Sequence, residues 1–158
     1  MGLVKGSNTY VTRSEANLYF ATRIDVNAWD SASESKKDKA LATATSLLDE
    51  FTWVGIAVSV DQLLAFPRVG SYFDPRLGVN KTFTAEIPAR ISTATCELAL
   101  HLLVNEDLLV EAGSVSDVSV GSIRITDIKE VPVIPSIVRN IIKPLLLNQG
   151  STIWWRAN

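Results

Sequence analysis

Cys96 and His101 are the side chains best equipped for nucleophilic and general-base chemistry, and the chain holds one residue of each type. Carried on one helix, they lie about 140° apart around its axis and cannot face each other as nucleophile and base. One histidine and one cysteine also exclude a multi-histidine metal site, a cysteine-rich zinc site and an internal disulfide. Cys96 therefore reads as a small core residue, and His101 as a helix histidine that is partly buried or at a subunit seam. Glu106, Asp107 and Glu111 cluster like paired carboxylates for acid–base work. Nothing in the sequence desolvates them, so they read as a solvated acidic turn. Neither the phosphate-loop nor the dinucleotide glycine pattern occurs. The expectation is no enzyme, no cofactor and no metal.

Two other stretches have the residue types for binding. Arg68 and Arg76 flank a glycine-containing segment with Tyr72 and Phe73, a mixture able to stack single-stranded bases. The plainer reading is a loop packed on its own aromatics. Lys36, Lys37 and Lys39 surround Asp38 and read as a solvated face. Charge argues against tight nucleic-acid binding, because that affinity comes from Lys and Arg displacing counterions, and here 15 basic residues meet 17 acidic ones. Weak contact with DNA, or its passive passage, stays open.

The second stretch is Ile153-Trp154-Trp155-Arg156. In an extended tail, successive side chains point to opposite sides, so the parent domain cannot readily bury both tryptophans. Leaving both wet exposes about 400 Å², an area that marks an interface, and Trp and Arg are the types enriched at interface hot spots. The tail either folds back on its own core or, as favoured here, is completed by another chain through strand addition or groove insertion.

The elements that must position these residues are mostly helical. Thr12-Arg13-Ser14-Glu15 has capping-box spacing and Val11 can staple onto Ala16. With Ala16, Tyr19, Phe20 and Ile24 at helical spacing, a helix is predicted over 13–23. Ser31 and Glu34 form a second capping box before a helix over 33–51, with Leu41, Ala44, Leu47, Leu48 and Phe51 as its stripe. Ser59 and Gln62 predict one or two helical turns, stopped by Pro67. Residues 68–86, rich in Gly, Pro and Asp, read as an irregular surface loop. A third helix runs from Pro88 to about Asn105, apolar around much of its circumference, as befits the centre of a bundle or a subunit contact.

The period then changes to two. In SVSDVSVGSIRITDI, Val118 and Val120 share one parity and Ile123 and Ile125 the other. A two-residue turn at Gly121-Ser122 puts all four on one face of a hairpin over 114–129. A bulge at Gly121 in one long strand is the alternative. Such a hairpin is marginal alone, so its apolar face needs a surface to lie on. A fourth helix spans 136–147, with Pro144 kinking or ending it.

The sum is a mainly α fold, a small bundle of about four helices with a projecting β-hairpin and an extended C-terminal tail. Residues 1–150 form a single domain and 151–158 a docking tail. No apolar run approaches the roughly 18 residues of a membrane span, so no membrane partner is expected. The N-terminus lacks a signal-like apolar stretch, and a lone cysteine suits a reducing compartment.

SNTYVTRSEANLYFATR, KALATATSLLDE with TWVG behind it, SVDQLLAFPRVG and IPARISTATCELALHLL, followed by VSDVSVGSIRITDI, resemble a family of tailed-bacteriophage proteins. Their order and spacing carry the resemblance over most of the chain. Members are often labelled DnaT-like single-stranded-DNA-binding proteins, and the family also looks like the head–tail adaptor, or connector, beneath the portal. One departure is local: Phe66 precedes the Pro-Arg pair where members often show tryptophan, so the indole donor is lost. The resemblance implies a structural virion protein at the head–tail junction, assembled in the host cytoplasm. It would form a homo-oligomeric ring, a dodecamer, around the channel that DNA passes through. The partners implied are the portal protein and a tail component or second adaptor. Ile153, Trp154, Trp155 and Arg156 of the tail, with Val118, Val120, Gly121 and Ile123 of the hairpin, are the candidate partner-binding residues. The alternative is a single-stranded-DNA-binding accessory protein of phage replication.

Overall fold

The computed structural model describes residues 2–111 and 132–147. The hairpin expected over 114–129 and the tail over 151–158 lie outside the described residues, and with them all eight candidate partner-binding residues.

Local signals decide the first helices. In α1 (Arg13–Phe20) the Thr12 side chain accepts from the Glu15 backbone, and the Glu15 side chain reaches back to the Thr12 backbone, so the expected capping box is present. Ala16 and Phe20 are buried in the same core cluster as Val11 and Tyr10. The helix ends before Ile24, which was expected on the stripe and is exposed instead. A short α2 (Asn27–Ser31) takes up the chain, with Trp29 buried and its indole donating to Asn17 Oδ1 at 3.0 Å. Ser31 therefore closes α2 and does not cap the next helix. Ser33 does that, accepting from Lys36 N, and α3 (Glu34–Asp49) follows. Its buried residues, Leu41, Ala44 and Leu48 among them, keep the expected stripe.

Between α3 and the next long helix the chain is more ordered than its composition indicates. No helix forms over 59–66; Gln62 does bond back to Ser59 N at 3.1 Å, but Leu63 points to solvent. Residues 68–86, expected as an irregular loop, instead supply three of the four strands of two antiparallel ladders. β1 (Ile56–Ala57) pairs with β2 (Arg68–Val69), and β3 (Ser71–Asp74) pairs with β4 (Val79–Thr82). Gly55 permits the first ladder: at φ +82 it is left-handed, and an added Cβ would run into the Val69 carbonyl oxygen. Phe66 is fully buried among Tyr10, Trp53 and Phe83, with ring centroids 5.1 to 6.1 Å away.

α4 (Ala89–Val104) is the expected central helix. Ile91, Ala94, Leu98, Ala99 and Leu102 are buried, and α1, α2, α3 and α6 (Ser136–Ile142) pack around it. Truncating such a residue, Leu98→Ala for example, removes about 2–5 kcal/mol of stability. A short α5 (Leu108–Glu111) follows. In α6, Val138 and Ile142 face α4, and Pro144 ends the α-helix in a 3-10 turn at Lys143–Leu145. Leu145 to Leu147 then run antiparallel to Thr52–Val54, joined by Val54 N to Leu145 O and Leu147 N to Thr52 O, each at 2.9 Å. The fold is mainly α, as the sequence predicts. Among the described residues, β3 and β4 form a hairpin.

Candidate nucleic-acid interface

Alternation along β3 and β4 sorts their side chains. Tyr72 sits opposite Lys81, and Asp74 opposite Val79, so Tyr72, Asp74 and Lys81 share one face while Phe73 takes the other. Tyr72 and Phe73 therefore cannot form one stacking platform. The shared face looks towards the start of α4. Between them lies a groove of about 470 Å³ lined by Tyr72, Arg76, Lys81, Phe83, Glu86 and Arg90 among others.

Asp74 is its pivot. The segment Asp-Pro-Arg-Leu-Gly makes the turn between β3 and β4, with the Asp74 carbonyl accepting from Leu77 N and Gly78 N, and Gly78 left-handed at φ +67. That turn folds Arg76 back. Its backbone N–H donates to Asp74 Oδ1 at 3.1 Å and its guanidinium to both carboxylate oxygens at 3.4 Å. Arg90, from the first turn of α4, donates to Oδ1 at 3.1 Å, and Lys81 Nζ stands 3.8 Å from Oδ2. The Asp74 side chain is 1% exposed, yet its carboxyl stays charged. The Arg76 hydrogen bonds, with help from Arg90, outweigh desolvation and hold its pKa down at about 2.

Charge in the groove is unbalanced. Three cations converge, and the carboxylates facing them are Asp74 and the exposed Glu86. Arg90 also donates to the Ile141 carbonyl, which fixes its orientation against α6, while its buried Nε has no partner among the described residues. No side chain caps α4 at this end, so its first N–H groups add partial positive charge. Ala85, between the groove residues Thr84 and Glu86, is left-handed at φ +58, a strained state of order 1 kcal/mol.

The other residues singled out in the sequence behave differently. Arg68 is spent on structure: its guanidinium donates to the carbonyls of Trp53, Val54, Gly55 and Ala65. It braces β1 against β2 and does not reach the groove. Burial pushes the Cys96 thiol up to about 12, so it is no nucleophile near neutrality. His101 Nε2 is hydrogen-bonded to the Pro132 carbonyl at 2.8 Å. Glu106 and Asp107 are exposed, and Glu106 meets Lys36 Nζ at 2.8 Å. Among the described residues, no group of acidic, His and Cys side chains is arranged to hold a metal, and no helix is long and apolar enough to cross a membrane.

Sequence reasoning reached Arg76 and Tyr72 and missed Asp74, Lys81 and Arg90. A turn signal was present, since Asp-Pro-x-x-Gly is typical hairpin-turn chemistry. No spacing rule would bring Arg90 to it. No curated protein and no solved structure gives a significant match to this chain. Residues 2–157 match the family described as "Putative DnaT-like ssDNA binding protein", and over nearly its whole length the chain belongs to that family.

Proposed function

We propose that this protein binds single-stranded DNA weakly through the groove between the β3–β4 hairpin and the start of α4. One observation carries the reading: Arg76, Lys81 and Arg90 converge from three elements on a single buried carboxylate, beside the half-buried ring of Tyr72. Cations held this way are oriented before a ligand arrives, and an aromatic ring beside them offers a base a stacking partner. The family description points the same way. The acidic balance of the chain limits affinity, so binding is micromolar or weaker and falls with salt. Fluorescence anisotropy with a labelled oligothymidylate at low salt tests this. Binding lost on Arg76→Gln is the expected result. No binding below millimolar protein would overturn the reading.

A second reading is the head–tail adaptor: a homo-oligomeric ring, a dodecamer, in the virion between the portal protein and a tail component or second adaptor. What favours it is surface apolarity. Ile56 of β1 and Val58, Val60 and Leu63 in the stretch after it are exposed, with Val60 99% exposed, and exposed apolar side chains gathered in one surface patch would suit a docking site. The tail with Trp154 and Trp155 adds apolar area that an assembly would cover. Here DNA passes through the channel without sequence-specific binding. Deleting residues 151–158 should leave circular dichroism and melting unchanged while abolishing attachment to the next ring in electron micrographs. A large loss of thermal stability would instead assign the tail to its own core.

A further inference from the structure

Outside the groove, each paired carboxylate among the described residues meets a single cation. Lys5 meets Glu15, Arg23 meets Glu97, Lys36 meets Glu106, and Arg13 is shared by Glu34 and Asp38. Arg68 is saturated by carbonyls. Around Asp74 the ratio reverses, with three cations drawn to one carboxylate. The outer two are accessible: Arg76 is 67% and Lys81 42% exposed, whereas Arg90 is 14% exposed and pinned to α6. This is a local surplus, not a stripe. A groove that tracks a nucleic-acid backbone needs cations repeated along its length, and this one gathers them at a single point.

We infer that the groove is a seat for one phosphate group, held by Arg76, Lys81 and Arg90 at the uncapped start of α4. The inference rests on the DNA-binding reading and narrows it: one phosphate is gripped, and the neighbouring nucleotides add little. Asp74 is a positioning residue here, an internal anion that keeps the cations converged while the seat is empty.

The test uses the full chain and two probes, inorganic phosphate and oligothymidylates of increasing length. In amide NMR spectra, phosphate should shift Arg76, Lys81, Ala89 and Arg90, and it should displace a labelled oligonucleotide competitively. Affinity should level off after the first few nucleotides, with log Kd rising about 0.7 per decade of salt, the slope of one neutralised phosphate on a single strand. Lys81→Gln should weaken both probes several-fold with an unchanged melting temperature, and Lys143→Gln, the same charge change elsewhere, should weaken neither. Equal losses from the two variants, or phosphate that moves none of those amides, would overturn the seat. Oligonucleotide binding that strengthens steadily with length and ignores phosphate would overturn it too, leaving the DNA-binding reading intact. Phosphate binding with no extra affinity for oligonucleotides would uphold the seat and remove the DNA reading.

Discussion

Asp74 and Glu97 are both carboxylates removed from water, and they do opposite work. Glu97, on the inner face of α4, is 6% exposed and accepts from the Tyr19 hydroxyl and from Arg23 Nη1 at 2.5 Å. One cation meets one anion there, and Arg23 also lies over the Tyr19 ring. Burial, then the hydrogen bond to Glu97, pushes the Tyr19 hydroxyl pKa up, so it stays a donor. The cluster is closed and joins α1 to α4. Asp74 instead draws three cations, and those cations line a groove. A balanced buried pair serves stability or specificity; surplus charge at a surface opening is free to meet a ligand.

The largest effect expected is on the closed cluster. Glu97→Ala removes the carboxylate that the part-buried Tyr19 hydroxyl and the Arg23 guanidinium share, leaving them only each other, and should lower stability by about 2 kcal/mol, read from urea midpoints. DNA affinity should not change, and a parallel loss of binding would erase the contrast.

Asp74→Asn should separate the two sites more sharply. Stability falls as the cations lose their anchor, and phosphate binding should weaken several-fold because the cations no longer converge. A loss of stability with phosphate binding unchanged would make Asp74 purely structural.

Acid should give a smaller effect. The folded-state pKa of Asp74, about 2, lies below its ordinary value of 3.8, so its contribution is fully present above pH 4 and disappears as pH falls towards 2. The difference in urea midpoint between the native chain and Asp74→Asn should therefore shrink across that window. A constant difference would mean that Asp74 is not held by its cations. Smallest of all, Lys81→Gln should change stability by less than about 0.5 kcal/mol, since its pair is loose and partly exposed.

How much of this is legible in the sequence depends on the range of the interactions. The capping box at Thr12 and Glu15, the apolar circumference of α4 and the stop at Pro144 are local signals, and each appears as predicted. Ser31 misled because α2 intervenes, a helix too short to show periodicity. The strands at 56–57, 68–69, 71–74 and 79–82 were hidden for a similar reason: two to four residues cannot display alternation, and their Gly and Pro neighbours resemble loop composition. The candidate site was half visible. Arg76 and Tyr72 stand close together in the chain, but Arg90 joins them only because β4 turns back, through the strained Ala85, to start α4. Arg68 looked equivalent to Arg76, and only tertiary structure separates a brace from a binding group.

His101 holds the Pro132 carbonyl, and α5 begins a few residues beyond the same end of α4. His101 therefore ties the start of the chain before α6 to the last turn of α4. One imidazole thus fastens two helices that are distant in sequence, so a change at position 101 reaches the register of α6 on the central helix without touching a single apolar core residue.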